Sequence, residues 1–146
     1  MKEDVKKEIY LEIVTPVKVI YRGYVNSVIL PVEDGMIGIL PRHVNTLARI
    51  VPGILIAKTN KASSYFVVGR GFMEFIRDKA YIITDEAEII EKINLDTLEK
   101  EENELKEKLK ETQDKDIREE IKYALLLNSY KKKALQLFLK TKDSTK

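Results

Sequence analysis

The sequence predicts an α+β chain in two parts, an N-terminal antiparallel β-sandwich followed by a C-terminal antiparallel α-helical hairpin. Three observations carry that prediction. Through the first ninety or so residues, short segments rich in Val, Ile, Tyr and Phe recur between turn residues. From Leu95 to Glu111 the chain turns rich in Glu, Lys and Leu and contains neither Gly nor Pro. No long helical pattern interrupts the strands, which speaks against a parallel α/β sheet. The expected division is residues 1–91 for the sandwich and 92–146 for the hairpin, with helices over about 95–111 and 117–140.

Taken in order, Ile9, Leu11 and Ile13 alternate with Glu8, Tyr10 and Glu12, the pattern of a half-buried strand. Val17, Val19 and Tyr21 follow Pro16, which marks a bend. A third segment, Val25 to Leu30, is expected to end at Pro31. Ile54–Ala57, Tyr65–Val68, Phe72–Ile76 and Tyr81–Ile83 complete the series. Turn signals separate them at Glu33-Asp34-Gly35, Pro52-Gly53, Thr59-Asn60-Lys61, Gly69-Arg70-Gly71 and Arg77-Asp78-Lys79.

In the first helical segment Leu98, Leu105 and Leu109 form a narrow stripe, with Glu102 where another apolar residue would sit. Glu102 and Lys106, like Glu104 and Lys108, are spaced to pair along one helix face. Thr112–Lys115 reads as a turn, after which Asp116 is placed to cap a second helix with Glu119 completing a capping box. So short a connection makes the helices antiparallel. The second helix is the more apolar, through Ile117, Ile121, Ala124, Leu125, Leu135 and Leu139, widened by Leu126, Leu127, Leu137 and Phe138. It holds more apolar surface than the first can cover. Its end is basic, with Lys131, Lys132, Lys133, Lys140, Lys142 and Lys146 against Asp143.

Composition narrows the function. An apolar share of 44% suffices for a packed core, and a charged share of 34% fits much solvated helix. Without cysteine there are no disulfides, thiolate metal sites or cysteine nucleophiles. The opening Met1–Lys7 is mixed in charge and lacks a following apolar core, so it does not read as a secretory signal. No apolar run reaches the ~20 residues of a membrane-spanning helix, so direct membrane insertion is not expected. A net charge of +2 does not argue for nucleic acid. His43 is the only histidine, no serine stands in a nucleophile elbow, and Gly69-Arg70-Gly71 lacks the third glycine of a dinucleotide loop. The chain is read as not an enzyme, with no catalytic residue, no metal site and no cofactor.

One segment is more specific than generic β structure. Gly35-Met36-Ile37-Gly38-Ile39-Leu40-Pro41-Arg42-His43 continues through Leu47 and Ile50 to Pro52-Gly53. Val14-Thr15-Pro16, Gly23 and Val25 precede it, and Gly69-Arg70-Gly71-Phe72-Met73-Glu74 follows. This resembles the epsilon subunit of F-type ATP synthase, called delta in mitochondria. Arg70 replaces the first of two paired glycines and Phe75 a valine of that family's pattern. The likeness extends over almost the whole chain, since a hairpin after a sandwich is also the family layout.

The resemblance implies a rotor central-stalk subunit that couples ion translocation to ATP synthesis. It would sit peripherally on the cytoplasmic side of the bacterial plasma membrane, with the gamma subunit and the c-subunit ring as partners. The loop of Glu33, Asp34, Gly35, Met36, Ile37 and Gly38 matches the family's c-ring-facing tip. Pro41, Arg42 and His43 match the part nearest gamma, although a local hydrogen bond would also account for His43. The hairpin is implied to inhibit ATP hydrolysis by extending into the alpha/beta catalytic head, with Lys131, Lys132, Lys133 and Lys140 meeting an acidic segment of the beta subunit. Some members bind ATP at the hairpin. Here Leu95 and Asp96 keep the start of that motif and Arg118 is the hairpin's one arginine, but Glu99 and Lys100 stand where Arg and Ala belong, so ATP is not expected. The rival reading is a stand-alone adaptor that dimerises through its hairpin.

Overall fold

A computed structural model describes residues 7–144. The N-terminal stretch weighed above as a signal, apart from Lys7, and Lys146 lie outside the described residues. The chain divides into two compact units, Met1–Ile89 and Ile90–Lys146.

The first unit is ten strands: β1 (Ile9–Val14), β2 (Val19–Val25), β3 (Ser27–Val32), β4 (Gly35–Ile39), β5 (Thr46–Ile50), β6 (Gly53–Lys58), β7 (Ser63–Val68), β8 (Gly71–Ile76), β9 (Lys79–Thr84) and β10 (Ala87–Ile89). Their order is β10-β7-β6-β3-β5-β8-β9-β1-β2, with β4 paired to the free side of β3. Between β3 and β5 the ladder narrows to the single pair Val32↔Ile50. The sheet turns a corner there, so its halves face each other across one core. Ile9, Leu11, Ile13, Leu30, Leu55, Phe66, Met73, Phe75 and Ile82 are all fully buried in that core. Tyr21 of β2 meets Phe66 of β7 edge to face at 5.4 Å, one half reaching the other.

Three details differ from the sequence reading. The segment Val25–Leu30 is not one strand, because the chain reverses at Asn26 and β3 runs on through Pro31 to Val32. Pro31 falls at the corner, after the last β6 pair at Ile29 and before the β5 pair at Val32. No partner on that side needs its missing N–H. Strands β4, β5 and β10 were not anticipated as strands. One ladder is parallel, since β1 runs alongside β9 from Tyr10↔Lys79 to Val14↔Ile83. The other ladders are antiparallel.

The second unit opens with a 3-10 turn (Ile90–Lys92), then α1 (Leu95–Glu111) and α2 (Lys115–Ser144). Asn94 caps α1, its Oδ1 accepting from the Thr97 N–H at 3.1 Å. Asp114, not Asp116, caps α2. Its Oδ1 accepts from the backbone N–H groups of Asp116 and Ile117 at 2.9 and 3.1 Å. The helix therefore starts at Lys115 and runs to Ser144, longer at both ends than 117–140. A good acceptor one turn earlier takes the cap, and the two carboxylates cannot both hold it.

Candidate functional site

The β unit has an outward face that the sequence does not announce as a surface. On β5, β8, β9, β1 and β2 the inward residues fill the core, and the registers align the outward ones in rows. Arg49 pairs with Phe72, Phe72 with Ile83, Ile83 with Val14, and Val14 with Val19. Phe72, Ile83 and Val19 remain 52%, 58% and 43% exposed. An apolar row across five strands is unusual on a face open to water. The Arg49 guanidinium stands 5.7 Å from the centre of the Phe72 ring and ends the row in a cation–π contact, worth about 0.5–1 kcal/mol at an exposed site.

The neighbouring row is polar. Leu47 is followed by Glu74, Tyr81, Glu12 and Arg22. Arg22 Nε donates to Glu12 Oε1 at 3.0 Å, and the Tyr10 hydroxyl donates to the same oxygen at 2.8 Å. That hydrogen bond to Glu12 is the chief reason the Tyr10 phenol sits above its ordinary pKa; desolvation adds to the rise. Tyr10 also packs edge-on to Tyr24 at 5.6 Å and to Tyr81 at 6.3 Å. The face thus joins an apolar row to a tethered aromatic cluster, the make-up of an interface core with a polar rim. The one signal for it in the sequence is that Phe72, Met73, Phe75 and Ile76, then Tyr81, Ile82 and Ile83, are apolar at both parities of their strands.

The residues expected to face partners fall at opposite ends of this unit. Glu33 and Asp34 are the two-residue turn of the β3–β4 hairpin, with Val32 paired to Gly35. The expected loop Glu33–Gly38 is therefore corrected: Gly35, Met36, Ile37 and Gly38 are strand residues of β4, because each finds a ladder partner on β3. Gly35 has φ 126°, a conformation other residues rarely adopt. Met36 is exposed and Ile37 half-buried. The Glu33 N–H donates to the Arg49 carbonyl at 3.1 Å, tying the tip to β5 beside the apolar row.

Pro41, Arg42 and His43 lie at the far end of β4. The His43 N–H donates to the Leu40 carbonyl at 3.0 Å, closing a turn with Pro41 second and Arg42 third. Arg42 has φ 70°, where a type II turn prefers glycine. Its N–H donates to Asp78 Oδ1 at 2.6 Å, and Asn45 Oδ1 accepts from the Arg77 N–H at 3.2 Å, so two bonds fasten this turn to the β8–β9 turn. His43 Nδ1–H donates to the Val44 carbonyl at 2.8 Å, and its ring stands edge-on to Phe75 at 5.8 Å. His43 is thus locally satisfied and only half-buried.

In the hairpin, Arg118 Nη1 donates to the carbonyls of Leu109 and Thr112 at 2.5 and 2.9 Å, closing the C-terminal end of α1. Leu95 and Asp96 stand at the other end of that seventeen-residue helix, about 25 Å away. Leu95, Asp96 and Arg118 are therefore not brought together, and the folded hairpin does not assemble them into a nucleotide site. Across the seam, Lys132 Nζ donates to Glu102 Oε2 at 2.6 Å while Lys106 Nζ donates to Oε1 at 3.1 Å. Buried Asn128 donates through Nδ2 to the Leu98 carbonyl at 3.2 Å, while its Oδ1 has no partner. An unmet buried acceptor of this kind costs about 1–3 kcal/mol. Lys133 and Lys140 are exposed, and Lys131 and Lys132 half-buried. Ile117, Leu126, Leu137 and Leu139 of α2 stay exposed, the apolar excess foreseen for this helix.

Among the described residues no group of three or more His, Asp or Glu side chains is placed to hold a metal ion. None of the described helices is long and apolar enough to cross a membrane.

Comparison with known proteins supplies the context for this geometry. A family model described as ATP synthase, Delta/Epsilon chain, beta-sandwich domain matches residues 8–90. The ATP synthase epsilon chain of Nitratidesulfovibrio vulgaris (strain DP4) is 31% identical over 110 residues, 75% of this chain and 82% of that one. The epsilon chain of Chloroflexus aggregans is 37% identical over 86 residues, which span 59% of this chain and 62% of that protein's length. A chain solved within the Euglena gracilis mitochondrial ATP synthase (OSCP/F1/c-ring, rotational state 1) superposes with a TM-score of 0.74 at 24% identity, covering 90% of this chain and 84% of that one. At that identity the likeness establishes the fold.

Proposed function

The chain is a non-catalytic member of the ATP synthase delta/epsilon chain family, and on that premise we propose that it is a central-stalk subunit of the rotor. In this reading the β unit is a stiff adaptor. Its outward face, with the Phe72–Ile83–Val14–Val19 row, seats against the gamma subunit, and Pro41, Arg42 and His43 extend that contact at one end. The Glu33–Asp34 tip, with Met36 beside it, meets the c ring at the other. An adaptor of this kind passes torque only if it does not yield, and a sheet closed around one core with tied turns at both ends suits that role.

The observation that carries the reading is the exposed apolar row, because a face of this make-up is stable in water only when a partner covers it. The hairpin is proposed to restrain ATP hydrolysis by extending toward the alpha/beta head, with Lys131, Lys132, Lys133 and Lys140 meeting an acidic surface of beta. ATP binding is not part of the proposal. Capture by purified gamma tests the docking face. The parent chain is expected to be retained, and the Phe72→Glu/Ile83→Glu variant to be lost from the column while keeping its circular dichroism. Equal retention of the folded variant would remove this face from the interface, and failure of the parent chain to bind gamma would overturn the reading.

A further inference from the structure

We propose that Glu102 is an internal decoy for the basic segment of α2, occupying Lys132 in the closed hairpin and so withholding it from an acidic protein surface. The geometry is specific. Glu102 stands in the Leu98–Leu105–Leu109 stripe, facing the partner helix, and divides its two oxygens between Lys106 on its own helix and Lys132 on the other. Lys132 reaches it at 2.6 Å with a side chain only 28% exposed. A lysine folded inward to that depth does not present its ammonium outward at the same time.

One turn away on both helices, Asn128 bonds the Leu98 carbonyl. The rungs Leu98–Asn128 and Glu102–Lys132 share a spacing of four residues on each helix, so they fix one register for the seam. Both rungs are polar, and groups of this kind recover hydrogen bonds to water when the helices part, as an apolar rung does not. Asn128 Oδ1, unpartnered when closed, gains a bond on opening. The seam is therefore specific when shut and inexpensive to open. Exposed Lys133 and Lys140 give an acidic surface its first purchase, and Lys132 follows when Glu102 lets go.

This inference rests on the proposed function only for the identity of the competitor, a carboxylate-rich face of a partner protein. It is tested on the full chain with poly-glutamate as probe. Because the sequence has no cysteine, Asn103→Cys and Ser129→Cys admit a label pair across the seam. The distance between the labels is expected to lengthen as the peptide binds. Glu102→Gln should bind the peptide about two- to fivefold more tightly than the parent, the range of a partly exposed ion pair. The gain should vanish in a Lys132→Gln background. Glu101→Gln, which removes the same charge from an exposed position outside the seam, should leave the affinity near that of the parent. Unchanged affinity in Glu102→Gln, an equal gain in Glu101→Gln, or a gain that survives Lys132→Gln would each overturn the proposal. None of these outcomes bears on gamma capture, so the stalk reading stands or falls separately.

Discussion

A β-carbon at Gly71 would lie 1.9 Å from the Ile83 carbonyl oxygen and 2.7 Å from Thr84 Cα. The obstacle is the backbone of β9, which pairs with this residue, so no rotamer change relieves it. Gly71→Ala is expected to cost about 3 kcal/mol, seen as a lower urea midpoint at unchanged slope. Gly38 makes the contrast. Nothing lies within 4 Å of a β-carbon built there, and Gly38→Ala should stay within about 0.5 kcal/mol of the parent. At this scale the sequence was legible where chemistry is local. The turn residues Glu33-Asp34-Gly35 and Arg77-Asp78 announce reversals, and reversals occur there. It was not legible for Arg42, whose φ of 70° depends on Asp78, thirty-six positions away, accepting its N–H. Nor could spacing reveal that Arg118 is taken up by the end of α1.

Elements show where pattern and pairing compete. β1 was plain from its alternation. β5 was hidden because Thr46, Ala48 and Ile50 face in while Leu47 and Arg49 face out, leaving no clean contrast of apolar against polar. β4 looked like a loop because two of its five residues are glycine, and only the β3 ladder holds it extended. In the hairpin, Asp114 is the acceptor that starts α2, and Asp114→Ala should lower stability by about 1 kcal/mol, read as lost helicity at 222 nm. The Glu102 carboxyl is held below its ordinary pKa, first by the hydrogen bond from Lys132 and then by that from Lys106. A depressed folded-state value stabilises the closed form above the unfolded pKa, and that contribution is lost as the pH falls through the folded value. Acidification is expected to lengthen the distance between labels at positions 103 and 129, with this step absent from Glu102→Gln.

On the scale of the whole molecule, the β unit has a core made only of its own residues, all between Ile9 and Ile82. Removing everything after Glu91 should leave that core folded, with a cooperative thermal transition and undiminished gamma capture, while ATP hydrolysis by the assembled complex rises. Unchanged hydrolysis would count against a restraining hairpin. The two-part layout was readable because the period of the apolar residues changes once, near Asn94. The docking face was not, because it exists only after β5, β8, β9, β1 and β2 lie side by side, and residues as distant as Val14 and Ile83 enter one row.

The parallel ladder between β1 and β9 also bears on how the chain is made. β1 reaches the ribosomal exit roughly seventy residues before the strand that will cover one of its sides. Until Thr84 emerges, the newborn unit has only β2 beside β1, and a row of amide and carbonyl groups waits for a mate that has not been synthesised. A stalled or clipped product ending ahead of β9 would keep that open rim, the kind of surface that recruits a strand from a neighbouring molecule.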